Sequence, residues 1–233
     1  HKQHSWPKGH WNWPIQVTHK HGLRCGDMIW IGGQVNLTPD GVVLNPGDPA
    51  TQTAAVIRNI AAVLAEFDAG LPDLVYLNAF YVNDGNIGES DFLHWIAECL
   101  PSDVRLAVTP VPVAWLAYDD MLVEIEAYAM RGADGSALPR DYAPEPDPAS
   151  RPAQFCTALR CGKMIFTSAQ SPLDHDGALL GEGDIVAQSR QVATILQRAL
   201  AYFGADFDDV VKINRWYSGG DGIDDIEPAA LEL

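Results

Sequence analysis

Few residues in this chain have the chemistry of a catalyst, and they lie far apart in sequence. Glu124 and Glu126 are two apart in an alternating run over 121–129, so a strand there points both carboxylates to one side of its sheet. His19 and His21 are also two apart and titrate near neutral pH. That suits proton transfer, and a surface or structural role suits the same residues. Gly32 and Gly33 fall where a strand would otherwise carry side chains. Such a pair either lets a ligand or another backbone approach, with N–H groups exposed, or marks a bulge near a sheet edge. Residues 1–16 hold His1, His4, His10, Trp6, Trp11 and Trp13. Their spacing matches no standard metal-ligand pattern, and an aromatic arm packed on its own module or on a partner subunit is expected instead. None of the four cysteines (Cys25, Cys99, Cys156, Cys161) forms a C-x-x-C pair, and Cys25 and Cys161 read as small hydrophobes on buried strands.

The elements that must position these residues follow from periodicity. Strands are expected over 17–23 and 28–35, the second followed by a Thr38-Pro39-Asp40-Gly41 turn. A helix capped by Asp48 or Thr51 runs to about Phe67, with apolar residues at helical spacing. Residues 74–82 alternate as a strand, 89–100 form a second helix, and 104–113 form a strand whose Pro110 and Pro112 leave one flank open or bulged. With the strand over 121–129 the order is β-β-α-β-α-β-β. That order implies a mixed sheet covered by helices on one face, its other face needing a repeat or a symmetric partner.

The chain carries this pattern twice. Arg24-Cys25-Gly26-Asp27-Met28-Ile29 returns as Arg160-Cys161-Gly162-Lys163-Met164-Ile165, at a constant offset of 136 residues from Leu23 to Tyr81. Roughly 23 of these 59 pairs are identical, which marks a duplicated domain. Four regions follow: an aromatic and His-rich arm over 1–16, a first module over 17–131, an acidic Pro-rich spacer over 132–152, and a second module over 153–233. The second module repeats the early strands, a helix over 188–203 and a strand over 210–217, and counterparts of the later elements are largely missing. A second polypeptide that completes it, or a longer chain, is expected. The first residue is not Met, so a further segment can precede it.

A net charge of −16 and a mean hydropathy of −0.06 describe an acidic globular chain, with Lys and Arg spread thinly. That balance opposes nucleic-acid binding. No apolar segment is long enough to cross a bilayer and the start lacks a signal-peptide core, so a cytoplasmic protein without membrane partners is expected.

Gly26-Asp27-Met28-Ile29-Trp30-Ile31-Gly32-Gly33-Gln34, Gln52-Thr53, Asn59-Ile60, Val63-Leu64 and Val123-Glu124-Ile125-Glu126-Ala127-Tyr128-Ala129 together resemble the Rid (reactive intermediate deaminase, YjgF-type) family. The likeness covers about 17–130 and, for its first half, 153–217. It implies an α/β (α+β) fold of two tandem chorismate-mutase-like modules that pack into trimeric barrels, as a trimer or a pseudo-hexamer of modules, with ligand clefts between modules. It further implies a hydrolase that deaminates small enamines, imines or related C–N compounds without metal or organic cofactor. Carried over residue by residue, Glu124 matches the last-strand glutamate that activates water, and the alternative is an ordinary strand carboxylate. Gly33 matches the turn glycine whose backbone meets ligand, Gly32 stands where the family has serine, and His19 stands near the position of a cleft tyrosine. The carboxylate-binding arginine falls on Val108. Arg105 lies three residues earlier, and that odd offset points to the opposite face unless the strand bulges. In the second module Ser168-Ala169-Gln170 replaces both glycines, which reads as a scaffold or half of a shared site. The alternative to catalysis is a ligand-binding or assembly module of the same fold; endoribonuclease activity ranks third on charge.

Overall fold

The computed structural model describes residues 2–83, 85, 87–145, 151–174 and 177–217. The chain divides into two compact units, 1–168 and 169–233. The first contains the whole first repeat and the opening strands of the second.

The first unit is built on a six-stranded sheet: β1 (Lys2–Ser5), β2 (Gly22–Cys25), β3 (Met28–Gln34), β4 (Leu74–Val82), β5 (Ala107–Val113) and β6 (Val123–Met130), in the order β1-β2-β3-β6-β4-β5. Only β4 and β5 run parallel. The helix α2 (Glu89–Glu98) provides their crossover, as a parallel pair requires. The longer α1 (Pro49–Ala65) joins β3 to β4. Asp48 caps α1, its Oδ1 accepting from Thr51 N at 2.9 Å, and Pro49 occupies the first turn, where a missing N–H costs nothing. The core lies between the helices and one sheet face. Val56, Ile60, Val63 and Leu64 of α1 and Phe92 and Ile96 of α2 meet Ile29, Ile31, Leu77, Ala79, Val123, Ile125 and Ala127. Each of the Val, Ile, Leu and Phe side chains among them, fully buried, contributes about 1.5–3 kcal/mol.

Several elements differ from expectation for identifiable reasons. The first expected strand, 17–23, is displaced to Gly22–Cys25. A two-residue turn at Gly26-Asp27, with Gly26 at φ 61°, pairs Cys25 with Met28 and so sets the register. The arm contributes β1, an edge strand on β2. Beyond it, Trp11 is buried with Val35, Leu37 and Met121, so the arm packs on its own module. Cys25 is exposed, not buried; Cys161 is buried. Within the segment read as a spacer, β7 (Arg140–Tyr142) pairs with β8 (Ala158–Cys161), which pairs with β9 (Met164–Thr167). The polar look of that segment is misleading. Arg140 donates to Pro72 O at 2.8 Å and to Arg105 O at 3.2 Å, and Tyr142 lies under the Arg105 guanidinium at 4.8 Å.

The small sheet covers part of the face that the helices leave bare. Cys156, Leu159, Cys161 and Phe166 pack with Val75, Ala107 and Met130. The segment before β8 also borders β5, where Cys156 N donates to Leu106 O at 3.0 Å and Leu106 N to Gln154 O at 2.9 Å.

In the second unit α3 (Ile185–Tyr202) is capped by Asp184, the repeat counterpart of Asp48, whose Oδ1 accepts from Ala187 N at 2.9 Å. Residues 210–217, expected as a strand, form none: no ladder pairs them with another described residue.

Candidate active site

The uncovered part of the sheet face is read from strand register. Leu77, Ala79, Val123 and Ile125 point to the helices, so Asn78, Phe80, Glu124 and Glu126 point away from them. Asn78 is paired with Glu126 across β4 and β6, and Phe80 with Glu124. Thr109 of β5 continues the Asn78 row, and Trp30 of β3 lies opposite Tyr128. The result is a band of two carboxylates and a carboxamide among aromatic side chains.

Gly32 and Gly33 form a bulge. Ile31 pairs with Ala127 and Gln34 with Ile125, so two residues of β3 oppose Glu126 alone. Gln34 holds it in place: its Nε2 donates to Gly32 O at 3.0 Å, and its Oε1 accepts from His10 Nε2 at 2.8 Å and Trp11 Nε1 at 3.0 Å. Gly32 N donates to His21 O at 3.1 Å. The bulge makes room for Glu124. A Cβ on Gly33 would overlap Glu124 Oε1 and come within 2.8 Å of its Cδ. The glycine therefore leaves the space that this Glu124 side chain occupies, and the group it admits is the expected water-activating carboxylate.

Glu124 accepts no hydrogen bond from a described residue, and burial, then the neighbouring charge of Glu126, pushes its carboxyl above the usual carboxylate range. Glu126 Oε2 accepts from Asn78 Nδ2 at 3.0 Å. Asn78 is 3% exposed, and its Oδ1 has no partner.

The other sequence candidates lie elsewhere. Val108 is buried among the helix-facing residues, across the sheet from Glu124; its N donates to Ser168 Oγ at 2.8 Å. On β5 the positions with the parity of Glu124's side are Ala107, Thr109, Val111 and Val113, Val111 being in register with Phe80 and so with Glu124, and none of them supplies a cation. Val108, the expected arginine position, therefore lines the helix-side core and not the face that carries Glu124. Arg105 pairs with Glu145 at 3.2 Å, and Glu145 also accepts from Thr157 N and Oγ1 at 2.8 Å. That cation fastens the lead-in to β8. His19 sits in a cluster with Trp6, Trp11 and His21, at ring distances of 4.9, 6.0 and 5.2 Å, both its ring nitrogens buried and unpartnered. His21 donates through Nε2 to Trp11 O at 3.0 Å. Burial, with His10 and His19 nearby and only the Trp11 carbonyl opposing, lowers its pKa to about 4. No described group of three or more His, Cys, Asp or Glu side chains is placed to hold a metal ion. A cavity of about 550 Å³ lies beside Trp115 and Tyr118 on the 114–122 loop, and Glu124 does not line it.

Asn78 is the residue beside the two carboxylates that motif reasoning passed over, and Glu126 enters that reasoning only for sharing Glu124's face. The available signal was period two: both share the parity of Glu124 in their strands.

A mixed sheet with its helices on one face, a glycine bulge and a carboxylate from the last long strand define an α/β module of one class, present here with the opening of a second copy. The family model described as endoribonuclease L-PSP matches residues 15–131 and again 146–229. The chain belongs to that family, the Rid/YjgF family of the sequence resemblance, as a tandem repeat. A RutC family protein of Pyrococcus abyssi is 30% identical over 111 residues, 47% of this chain and 83% of that protein. Protein DfrA of Myxococcus xanthus is 37% identical over 83 residues, 36% of this chain and 61% of that protein. Among solved structures, the Rid-family protein YyfA of Yersinia pestis is 25% identical with a TM-score of 0.48, over 56% of this chain and 99% of that one. No helix among the described residues is long and apolar enough to cross a membrane.

Proposed function

We propose that the first module is a cofactor-independent hydrolase that deaminates a small imine, enamine or related C–N compound, with Glu124 as the acid/base. The observation that carries this reading is a half-buried carboxyl, raised in pKa and free of hydrogen bonds from described residues, held against the glycine bulge. As carboxylate, Glu124 takes a proton from water while the water oxygen adds to the imine carbon. The carboxylic acid then returns the proton to nitrogen. In the resulting carbinolamine the regenerated carboxylate takes the hydroxyl proton and passes it to nitrogen, so that the C–N bond breaks as the carbonyl forms and ammonia leaves. A pKa above the ordinary carboxylate range favours that exchange nearer neutral pH. In this reading further copies of the chain cover the open sheet face, as a trimer or a pseudo-hexamer of modules, and light scattering measures their number.

Glu124→Gln keeps size and polarity while removing proton transfer. Imine hydrolysis, followed as ammonia release, should fall by about 10²–10⁴-fold in kcat. Unchanged turnover removes Glu124 from the mechanism. One observation favours a second reading, a ligand-binding module without chemistry: no cation from β5 faces Glu124. Binding of metabolites with no turnover of any would support it.

A further inference from the structure

The band around Glu124 has the wrong charge for an anionic substrate. Its charged atoms are the four carboxylate oxygens of Glu124 and Glu126, and beside them the Oδ1 of Asn78 is buried without a donor among the described residues. A buried acceptor left unpaired costs about 1–3 kcal/mol, so a donor that satisfies it on binding gains that much. Asn78 Nδ2 donates to Glu126 Oε2, and the Tyr76 hydroxyl to Thr109 Oγ1. The two cations that might have balanced the site face other tasks: Arg105 holds Glu145, and Arg131 holds Asp73 at 3.2 Å. The side-chain inventory is therefore complementary to a group that is positively charged and rich in N–H. The surrounding Trp30, Phe80 and Tyr128 suit an organic cation, whose charge an aromatic face attracts. A hard metal ion would ask for more oxygens than two carboxylates and one amide bring together.

We infer that the Glu124–Glu126–Asn78 band binds a small planar organic cation of the amidinium, guanidinium or protonated-imine class, and rejects the carboxylate-bearing imines that a site with an arginine would take. The inference rests on the proposed C–N hydrolase for its meaning as a substrate class, but it concerns binding and is tested by binding.

The probes are acetamidinium chloride, the neutral isostere acetamide, and sodium acetate. Each is titrated into the full chain at constant ionic strength while the amide resonances of Gly33, Glu124 and Glu126 are followed by NMR. Acetamidinium should shift all three saturably, and acetate should shift none. Glu124→Gln and Glu126→Gln should each weaken acetamidinium by about tenfold, the loss of one charge-assisted hydrogen bond. Asn78→Leu should weaken it less. Glu126→Lys should abolish it and admit acetate. Thermal melts of each variant confirm folding, and the acetate response of Glu126→Lys is a gain that a misfolded variant cannot show. Acetate binding at these resonances in the native chain, or acetamidinium binding unaltered by both glutamine substitutions, overturns the assignment. Turnover of an anionic imine without acetamidinium binding also overturns it while leaving the hydrolase reading intact. Acetamidinium binding without any turnover keeps the ligand class and removes the hydrolase.

Discussion

A single missing methyl group at position 33 decides whether Glu124 has a place to sit. Gly33 has no left-handed backbone angle, so alanine is tolerated by the main chain and refused only by the carboxylate above it. Gly33→Ala should therefore cost about 1–3 kcal/mol in urea unfolding, as overpacking does. Combined with Glu124→Ala, most of that cost should vanish, because the group being struck is gone. A double-mutant cycle reads this directly, and additive losses would mean the glycine serves something else. The pairing of residues 33 and 124 is legible in sequence only through family motifs, since it depends on a bulge. The carboxylates' shared face is legible from parity alone. Which side Val108 faces is not legible in the same way: two prolines blur the strand's limits, and its side chain lies in the helix-side core.

At the scale of elements, the arm, β2 and the bulge are joined through His21 and Gln34. His21 is buried as a neutral imidazole: its Nε2–H is committed to the Trp11 carbonyl, and its Nδ1 lies 3.4 Å from Gln34 Nε2. Its folded pKa of about 4 lies below the ordinary 6.5, so between those values the unfolded chain binds the proton and the folded one does not. The stability this group protects is full above pH 6.5 and declines as pH falls towards 4, by at most about 3 kcal/mol. His10, lowered mainly by burial, adds a slope of the same sign. The urea midpoint should drop between pH 7.5 and 5, and the drop should shrink in His21→Gln; an unchanged slope would refute the assignment. Elements set by local signals are legible in sequence: Asp48 caps α1, and alternation gives Leu74–Val82, whose register irregularity between Leu74 and Tyr76 it does not show. β1 and β7 are not, because short polar strands exist only through distant partners, as at Arg24 with Gln3 and Arg160 with Asp141.

For the molecule as a whole, the repeat is not divided where its sequence divides. The duplicated pattern begins at Leu23 and Leu159, yet the strands that open the second copy lie in the same compact unit as the first. Ser168, the counterpart of Gly32, fastens this arrangement. Its Oγ accepts from Val108 N and donates to Cys156 O at 2.6 Å, at 2% exposure. Ser168→Ala should cost about 1–3 kcal/mol of global stability by stranding both groups, while Gly32→Ser, in the exposed half of the bulge, should cost far less. Equal losses would contradict the different tasks given to the two copies.

The same contact has a consequence for how the protein behaves when scarce. The outer edge of β5 meets residues 154–156 and Ser168 of its own chain, so its occupant arrives by tether rather than by collision. Dilution cannot strip that part of the edge, whereas a neighbour recruited from solution would leave at low concentration. The exposed stretch that could template stray strands shrinks to the one carrying Pro110 and Pro112, residues unable to donate to an intruder.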